Sequence, residues 1–303
     1  MDKKGFGQLV ATLRKESRNE FDEIMTQYDL AELCRIPLIT LQKIEQGRQA
    51  NIKADVLLGL AQALNLSSRA MEVFFLASLG IKDSQFVKRT RTPHEKLDEL
   101  TRTLSQLQIP AFISDGFGDV LAANPAFPAI YAMQVDQFAA PHLLSQHNIN
   151  RILFAPEFES QREMMGETLH EFARQMVLQF KITTLKYRNH WYFQRLLPEL
   201  NRYPIFRAYW QSPAFHDDDV FIEYNPFTLR HPEFGQLKFL SSSLPAITWL
   251  GDLHLNSFQP MDAHTSQVCL HLARKLGTRP LHLAPWSKPS PNGVLTGAEE
   301  EII

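Results

Sequence analysis

The segment TQYDLAELCRIPLITLQKIEQG, which spans residues 26–47, predicts two short helices joined by a tight turn. The first helix covers residues 29–33 and is followed by a three-residue turn. Pro37 opens a second helix that runs to about Glu45, and Gly47 ends it. Proline favours the first position of a helix and glycine the position just after its last turn, so these two residues mark its limits.

The spacing of the apolar residues predicts which faces of the two helices are buried. The residues expected to pack the helices together are Leu30, Ala31, Leu41 and Ile44. The residues expected to face outward together are Leu38, Ile39, Gln42 and Lys43. A short exposed helix that is held at a fixed angle by a partner helix can enter the major groove of DNA. The segment therefore predicts a DNA-binding element.

The same segment resembles the helix-turn-helix of the phage-repressor-like (XRE) regulators. The resemblance extends over about residues 6–79 and rests on Thr26, Gln27, Leu30, Ala31, Glu32, Ile36, Thr40, Leu41 and residues 43–47. The sequence departs from the family at Arg35, where a turn glycine is usual, so the turn must accept a side chain. It also departs at Leu38 and Ile39, which can contact thymine methyl groups but cannot hydrogen-bond a base.

The resemblance implies a transcription regulator that binds a double-stranded DNA operator as a homodimer. Two recognition helices related by a two-fold axis would meet half-sites roughly 34 Å apart. The residues expected to face base edges are Leu38, Ile39, Gln42 and Lys43. The residues expected to contact phosphates or the edge of the site are Gln27, Gln46, Arg48 and Lys53.

Composition favours two domains with local basic charge. The chain has 303 residues, 44% of them hydrophobic, and a formal net charge of −2. Residues 35–53 hold four basic residues and one acid, a local charge of +3. This surface either binds phosphates or is an ordinary solvated surface. Cys34 and Cys269 are far apart in sequence, and no metal-ligand spacing or disulfide framework is visible.

Hydropathy predicts a soluble cytoplasmic protein. The first ten residues lack an apolar signal segment, and no run approaches the roughly 18 apolar residues of a membrane span. Helical spacing predicts five helices within residues 1–80, with residues 17–25 either extending the first helix or forming a loop. Residues 81–107 are expected to form a linker and a helix from Pro93 that couples the domains.

The second half of the chain predicts a PAS-like α/β domain with an antiparallel sheet at residues 108–277, so that the whole chain is of the α+β class. The predicted strands are 109–114, 119–123, 220–224, 237–241, 246–249 and 253–258. The predicted helices are one capped by Asn124, then 165–180, 203–211 and 262–276. Residues 278–303 are expected to be a disordered tail, because they are rich in proline, serine, glycine and acid.

The segment PAFISDGFGDVLAAN, residues 110–124, resembles the opening of the MmyB-like ligand-binding domain, a PAS-type module that follows XRE helix-turn-helix domains. Residues 148–156, 204–210 and 231–237 resemble later parts of that domain in the same order. Ala123 departs from the family, which often has tryptophan there. The resemblance implies a sensor domain that holds a small apolar, fatty-acid-like effector. A histidine of this domain could also ligate haem, but the spacing of the eleven histidines singles none out.

The residues expected to bind this effector are Phe112, Tyr131, Arg151, Phe154, Phe172, Met176, Arg207 and Trp210. An aromatic-lined cavity would bury an acyl chain at about 0.8 kcal/mol per CH₂ group. A carboxylate head would need a donor such as Arg151, Arg207 or His190. The alternative is that the aromatic residues fill a solid core and the domain is a ligand-free dimerisation or protein-interaction module.

The sequence contains none of the usual motifs of nucleophilic catalysis or of nucleotide binding. There is no G-x-S-x-G, no P-loop and no G-x-G-x-x-G. Residues 216–219, His-Asp-Asp-Asp, are interpreted as a solvated acidic loop rather than as metal ligands. We therefore expect a protein that is not an enzyme.

Overall fold

The computed structural model describes residues 1–49, 51–80, 92–134, 137, 143–212, 225–248 and 251–286. Within these residues the chain forms an N-terminal group of helices and a C-terminal domain built on a six-stranded antiparallel sheet. The predicted α+β class is confirmed.

The first domain consists of short helices packed around one hydrophobic core. They are α1 Lys3–Glu16, α2 Gln27–Leu33, α3 Leu38–Glu45, α4 Ala54–Ala63 and α5 Ser68–Ser78. Thr26 caps α2, since its hydroxyl accepts from the Asp29 amide while the Asp29 carboxylate accepts from the Thr26 amide. Pro37 is the residue just before α3 rather than its first residue, and Gly47 follows α3 with φ +69°.

The turn between α2 and α3 places Arg35 in the left-handed region, with φ +52°. This is the position where the resembled regulators usually have glycine. A side chain in that conformation costs roughly 1 kcal/mol, and the packing of the two helices offsets it. Residues 17–25 form a loop closed by a bridge between Arg18 and Ile24, rather than an extension of α1.

The second domain contains a block of helices between its first two strands and its next three strands. Its elements are α6 Pro93–Leu104, β1 Ala111–Asp115, β2 Val120–Ala123, α7 Ala126–Ile130, α8 Ile149–Phe154, α9 Glu159–Glu163, α10 Leu169–Thr183, α11 Trp191–Leu200, α12 Pro204–Gln211, β3 Asn225–His231, β4 Gly235–Thr248, β5 Gly251–Pro260, α13 Ala263–Leu276 and β6 Leu281–His282. Short 3-10 turns cover residues 156–158, 166–168 and 185–187.

The sheet has the strand order β3-β4-β5-β1-β2-β6. Ile113 of β1 lies opposite Leu255 of β5 on one side and Ala122 of β2 on the other. Most helices of the domain pack with one face of the sheet and form the larger core. The helix predicted to couple the domains, α6, packs Leu100 and Leu104 in a smaller cluster with the sheet residues Ile113 and Leu253. It is therefore part of the second domain.

Two strand predictions need correction. Residues 237–241 and 246–249 were expected as separate strands, yet β4 continues without a break from Gly235 to Thr248, because Pro245 is accommodated without ending the pairing with β5. The strand β3 was not predicted. The prediction of a strand at residues 220–224 lies outside the described residues.

The prediction of a disordered tail from residue 278 is wrong for residues up to 286. Leu281 and His282 pair with β2 and complete the sheet, and the Leu283 amide donates to the Leu121 carbonyl at 2.9 Å. Trp286 is buried and its ring centroid lies 6.0 Å from that of His94. The prediction failed because it rested on the proline and serine content of residues 278–303 and ignored three large apolar residues, Leu281, Leu283 and Trp286.

The two domains share an apolar contact. Leu178, Ile182 and Leu185, from α10 and the turn after it, belong to the same buried cluster as the core of the first domain. Among the described residues, no helix is both long enough and apolar enough to cross a membrane.

Candidate DNA-binding surface and ligand cavity

Helix α3 buries one face and leaves the other open, as its sequence predicts. Leu41 and Ile44 are 0% and 2% exposed, whereas Leu38 and Ile39 are 38% and 58% exposed. The buried face packs chiefly on α1 and α2. Lys43 is exposed beside Ile39, one turn further along α3. The outer face of the helix is therefore accessible while the second domain is docked.

A chain of polar contacts fixes the side chains between α1, α2 and α3. The Arg14 Nε lies 2.7 Å from Glu45 Oε1, and the Gln27 Nε2 donates to Glu45 Oε2 at 2.6 Å. The Gln42 Nε2 in turn reaches Gln27 Oε1 at 3.5 Å. Arg14 and Glu45 are almost fully buried, so each needs the other's charge. These hydrogen bonds hold the side chains of Gln27 and Gln42 together at the edge of the exposed face of α3.

The remaining predicted DNA contacts lie at and beyond the C-terminal end of α3. Gln46, Arg48 and Lys53 are all exposed. The chain turns back at Gly47, and the Arg48 amide donates to the Lys43 carbonyl at 2.8 Å. Of these three residues, Arg48 and Lys53 are cationic, and both follow the C-terminal end of α3.

The second domain contains a small apolar cavity between the sheet and helices α7 to α10. Its volume is about 60 Å³. The lining residues are Phe112, Phe127, Tyr131, Met133, Ile149, Ile152, Leu153, Gln161, Arg162, Met165, Phe172, Met176, Ser241, Asn256 and Phe258. Three of them are methionines, whose flexible side chains can rearrange around an occupant.

Four of the eight residues expected to bind the effector line this cavity: Phe112, Tyr131, Phe172 and Met176. Partial burial raises the pKa of the Tyr131 hydroxyl. The tyrosine therefore stays neutral and can donate or accept a hydrogen bond.

The other four residues are used elsewhere. The Arg151 Nη2 forms an ion pair with Glu157 Oε1 at 2.6 Å. Phe154 and Trp210 both pack on Phe206, with ring centroids 5.5 Å and 5.8 Å away. Arg207 is exposed on α12. The third donor considered, His190, accepts from the Tyr192 amide at the start of α11, outside the cavity lining.

The charged group that does reach the cavity is Arg162, which sequence reasoning missed. Its Nη1 donates to the carbonyls of Ala155 and Leu153 at 2.5 Å and 3.4 Å. Burial lowers the pKa of this guanidinium, although nearby glutamates partly oppose the effect. Among the described residues no carboxylate forms an ion pair with it. In sequence Arg162 stands among Glu157, Glu159 and Glu163, a pattern typical of a solvated surface.

Gln161 lies beside Arg162 in the cavity wall and is itself buried. One amide and one guanidinium together can donate several hydrogen bonds to a single anionic group. The described residues contain no cluster of three or more histidine, cysteine or acidic side chains that could hold a metal ion. Residues 216–219, interpreted as an acidic loop, lie outside the described residues.

Comparison with models of protein families matches residues 98–272 to the MmyB-like transcription regulator ligand binding domain, which is more than half of the chain. Residues 16–70 match a helix-turn-helix domain. A search of curated proteins finds no match. The second match begins at the end of α1, so it omits Gly7 and Arg14, two α1 residues that contact α3.

Proposed function

This chain belongs to the MmyB-like transcription regulators, and on that premise we propose that it is a non-enzymatic, cytoplasmic regulator that binds operator DNA through α3. We further propose that an apolar effector with an anionic head group controls it from the cavity of the second domain.

The observation that carries DNA binding is the open outer face of α3. Leu38 and Ile39 are large apolar residues exposed to solvent, which needs an explanation when they lie beside lysine and glutamine on a braced helix. Contact with thymine methyl groups would bury them, and Gln42 and Lys43 can hydrogen-bond base edges. Gln27, Gln46, Arg48 and Lys53 would contact phosphates. A homodimer would place two copies of α3 on half-sites roughly 34 Å apart.

The observation that supports an effector is the combination of an apolar cavity with a partly buried cation, Arg162, at its wall. An aliphatic chain would gain about 0.8 kcal/mol for each CH₂ group removed from water. A carboxylate head would gain charge-assisted hydrogen bonds from Arg162, and further hydrogen bonds from Gln161. A fatty acid satisfies both requirements.

The size of the cavity favours a second candidate, a domain that only dimerises or binds other proteins. Ligand pockets usually measure about 300–1,000 Å³, whereas this cavity measures about 60 Å³. A fatty acid would therefore have to displace lining side chains, and the three methionines are the residues best able to move.

Replacing Arg162 with methionine tests the effector. Methionine keeps most of the side-chain length but cannot donate a hydrogen bond, so the dissociation constant for hexadecanoate should rise by about tenfold or more. Isothermal titration calorimetry on the full chain would measure it.

The matched control is Arg207→Met, which removes an exposed arginine on the same domain and should leave hexadecanoate binding unchanged. Equal weakening by both variants would show that Arg162 is not the anchor. If hexadecanoate does not bind the unmodified protein, and extraction of protein from its host yields no lipid by mass spectrometry, the dimerisation candidate is supported instead.

A further inference from the structure

Helix α10 takes part in the hydrophobic cores of both domains. Phe172 and Met176 line the cavity, while Leu178 and Ile182 belong to the buried cluster of the first domain. An α-helix rises 1.5 Å per residue, so Met176 and Ile182 are separated by only about 9 Å along one helix. A displacement of the helix at the cavity therefore also moves the residues that form the contact between the domains.

The segment just after α10 completes this contact. The turn at residues 185–187 packs on α5 of the first domain. The Arg188 Nε lies 3.5 Å from Glu16 Oε2 of α1. The Asn189 side chain donates to the Gly5 carbonyl and accepts from the Thr12 hydroxyl, both at 3.3 Å.

The Arg188–Glu16 ion pair makes the contact between the domains sensitive to the position of Arg188 relative to α1. The Arg188 guanidinium is buried, 4.5 Å from the centre of the Trp210 ring, and desolvation lowers its pKa while Glu16 raises it. A buried cation that loses its carboxylate partner is strongly destabilised. Undocking of the first domain is therefore costly unless the surroundings of Arg188 also change.

Helix α1 links this docking surface to the recognition helix. Its Phe6 packs on Phe74 of α5, with ring centroids 4.9 Å apart. Its Gly7 touches the C-terminal carbonyls of α3, and its Arg14 pairs with Glu45 of α3. The element that receives the second domain is thus the same element that braces α3.

We propose that α10 transmits occupancy of the cavity to the DNA-binding domain, an inference that rests on the proposed function. An acyl chain is too large for this small cavity and must displace lining side chains, and two of these, Phe172 and Met176, lie on α10. Displacing α10 weakens the docking of α1 and α5 and frees the orientation of α3. The effector achieves this because it binds the loosely docked arrangement more tightly than the docked one.

Hydrogen exchange of the full chain, read by mass spectrometry, tests this role for α10 without an effector. Phe172→Leu replaces the aromatic ring of a cavity residue on α10 with a smaller side chain. The centroid of that ring lies 4.8 Å from the centroid of the Phe227 ring in the sheet. Exchange in α1 and α5 should become at least about fivefold faster. The matched control is Phe258→Leu, the same change at a cavity residue on β5, which should leave exchange in α1 and α5 within about twofold.

Equal acceleration by the two variants, or no acceleration by Phe172→Leu, would overturn the proposal. If either variant fails to fold, Met176→Ala on α10 and Met133→Ala beyond α7 give the same comparison at two other cavity residues. Adding hexadecanoate to the unmodified protein separates the two claims. If hexadecanoate does not bind, the proposed effector is contradicted, and the two variants still test the role of α10. If hexadecanoate binds but exchange in α1 and α5 is unchanged, the proposed role of α10 is wrong.

Discussion

Replacing Gly7 with alanine is expected to destabilise the first domain by about 3 kcal/mol and to abolish operator binding. A methyl group at Gly7 would lie 2.3 Å from the carbonyl oxygen of Ile44 and 2.5 Å from that of Glu45. These are backbone atoms at the C-terminal end of α3, so no side chain can turn away to make room. Either α1 moves off α3 or the end of α3 is distorted.

Thermal unfolding of the full chain, followed by circular dichroism, measures this effect. The matched control is Gly59→Ala in the interior of α4, where the nearest atom to the new methyl group would be the Cys34 carbonyl oxygen at 3.8 Å, an ordinary contact. Alanine favours a helix over glycine by roughly 0.5–1 kcal/mol, so this variant should be slightly more stable. Gly7→Ala with unchanged stability would refute the close packing of α1 on α3.

Replacing Gln42 and Lys43 together with alanine is expected to weaken operator binding by about 10- to 100-fold. Both residues lie on the open side of α3, and neither side chain contributes to the buried core of the domain. Random DNA should be bound nearly as well as before, because nonspecific binding depends mainly on the other cationic groups. Shift assays on operator and random duplexes at one salt concentration would measure both.

The control variant is Gln62→Ala with Arg69→Ala, which makes the same change of charge on α4 and α5. It should reduce operator binding by less than about threefold. Equal losses on operator and random DNA in the α3 variant would show that these residues act only as charges and that α3 does not read bases.

The first domain could be predicted closely from sequence, because its signals are local. Pro37 and Gly47 limit α3, and the spacing of Leu30, Ala31, Leu41 and Ile44 identifies the buried faces. The series of side-chain contacts that links Arg14, Glu45, Gln27 and Gln42 could not be predicted. It joins residues on three helices, and nothing in the spacing shows that Glu45 faces inward.

The second domain was predictable in its class and family but not in its details. The strand β6 was missed because its partner is distant: it pairs with β2 across more than 150 residues. The strand β3 was also missed, although it forms a hairpin with β4, which follows it directly in sequence. The residues that line the cavity were likewise predicted only in part. Aromatic residues such as Phe112 and Phe172 were found from composition and resemblance. Arg162 was missed because its place in the cavity wall depends on its hydrogen bonds to the carbonyls of Leu153 and Ala155, not on its neighbours in sequence.

The contact between the domains is the feature on which sequence was least informative. Leu178 and Ile182 are ordinary apolar residues of α10, and their positions in the sequence do not show that one end of this helix lines a cavity while the other end contacts the first domain. Arg188 and Glu16 are separated by more than 170 residues, so their pairing is visible only in three dimensions.

Selection of bound sequences from a random DNA library tests most directly the central claim that α3 reads an operator. The unmodified full chain should enrich a sequence with two-fold symmetry and half-sites roughly 34 Å apart, and the Gln42→Ala, Lys43→Ala variant should enrich none or a different one. A folded, unmodified protein that enriches no sequence at all would contradict the account.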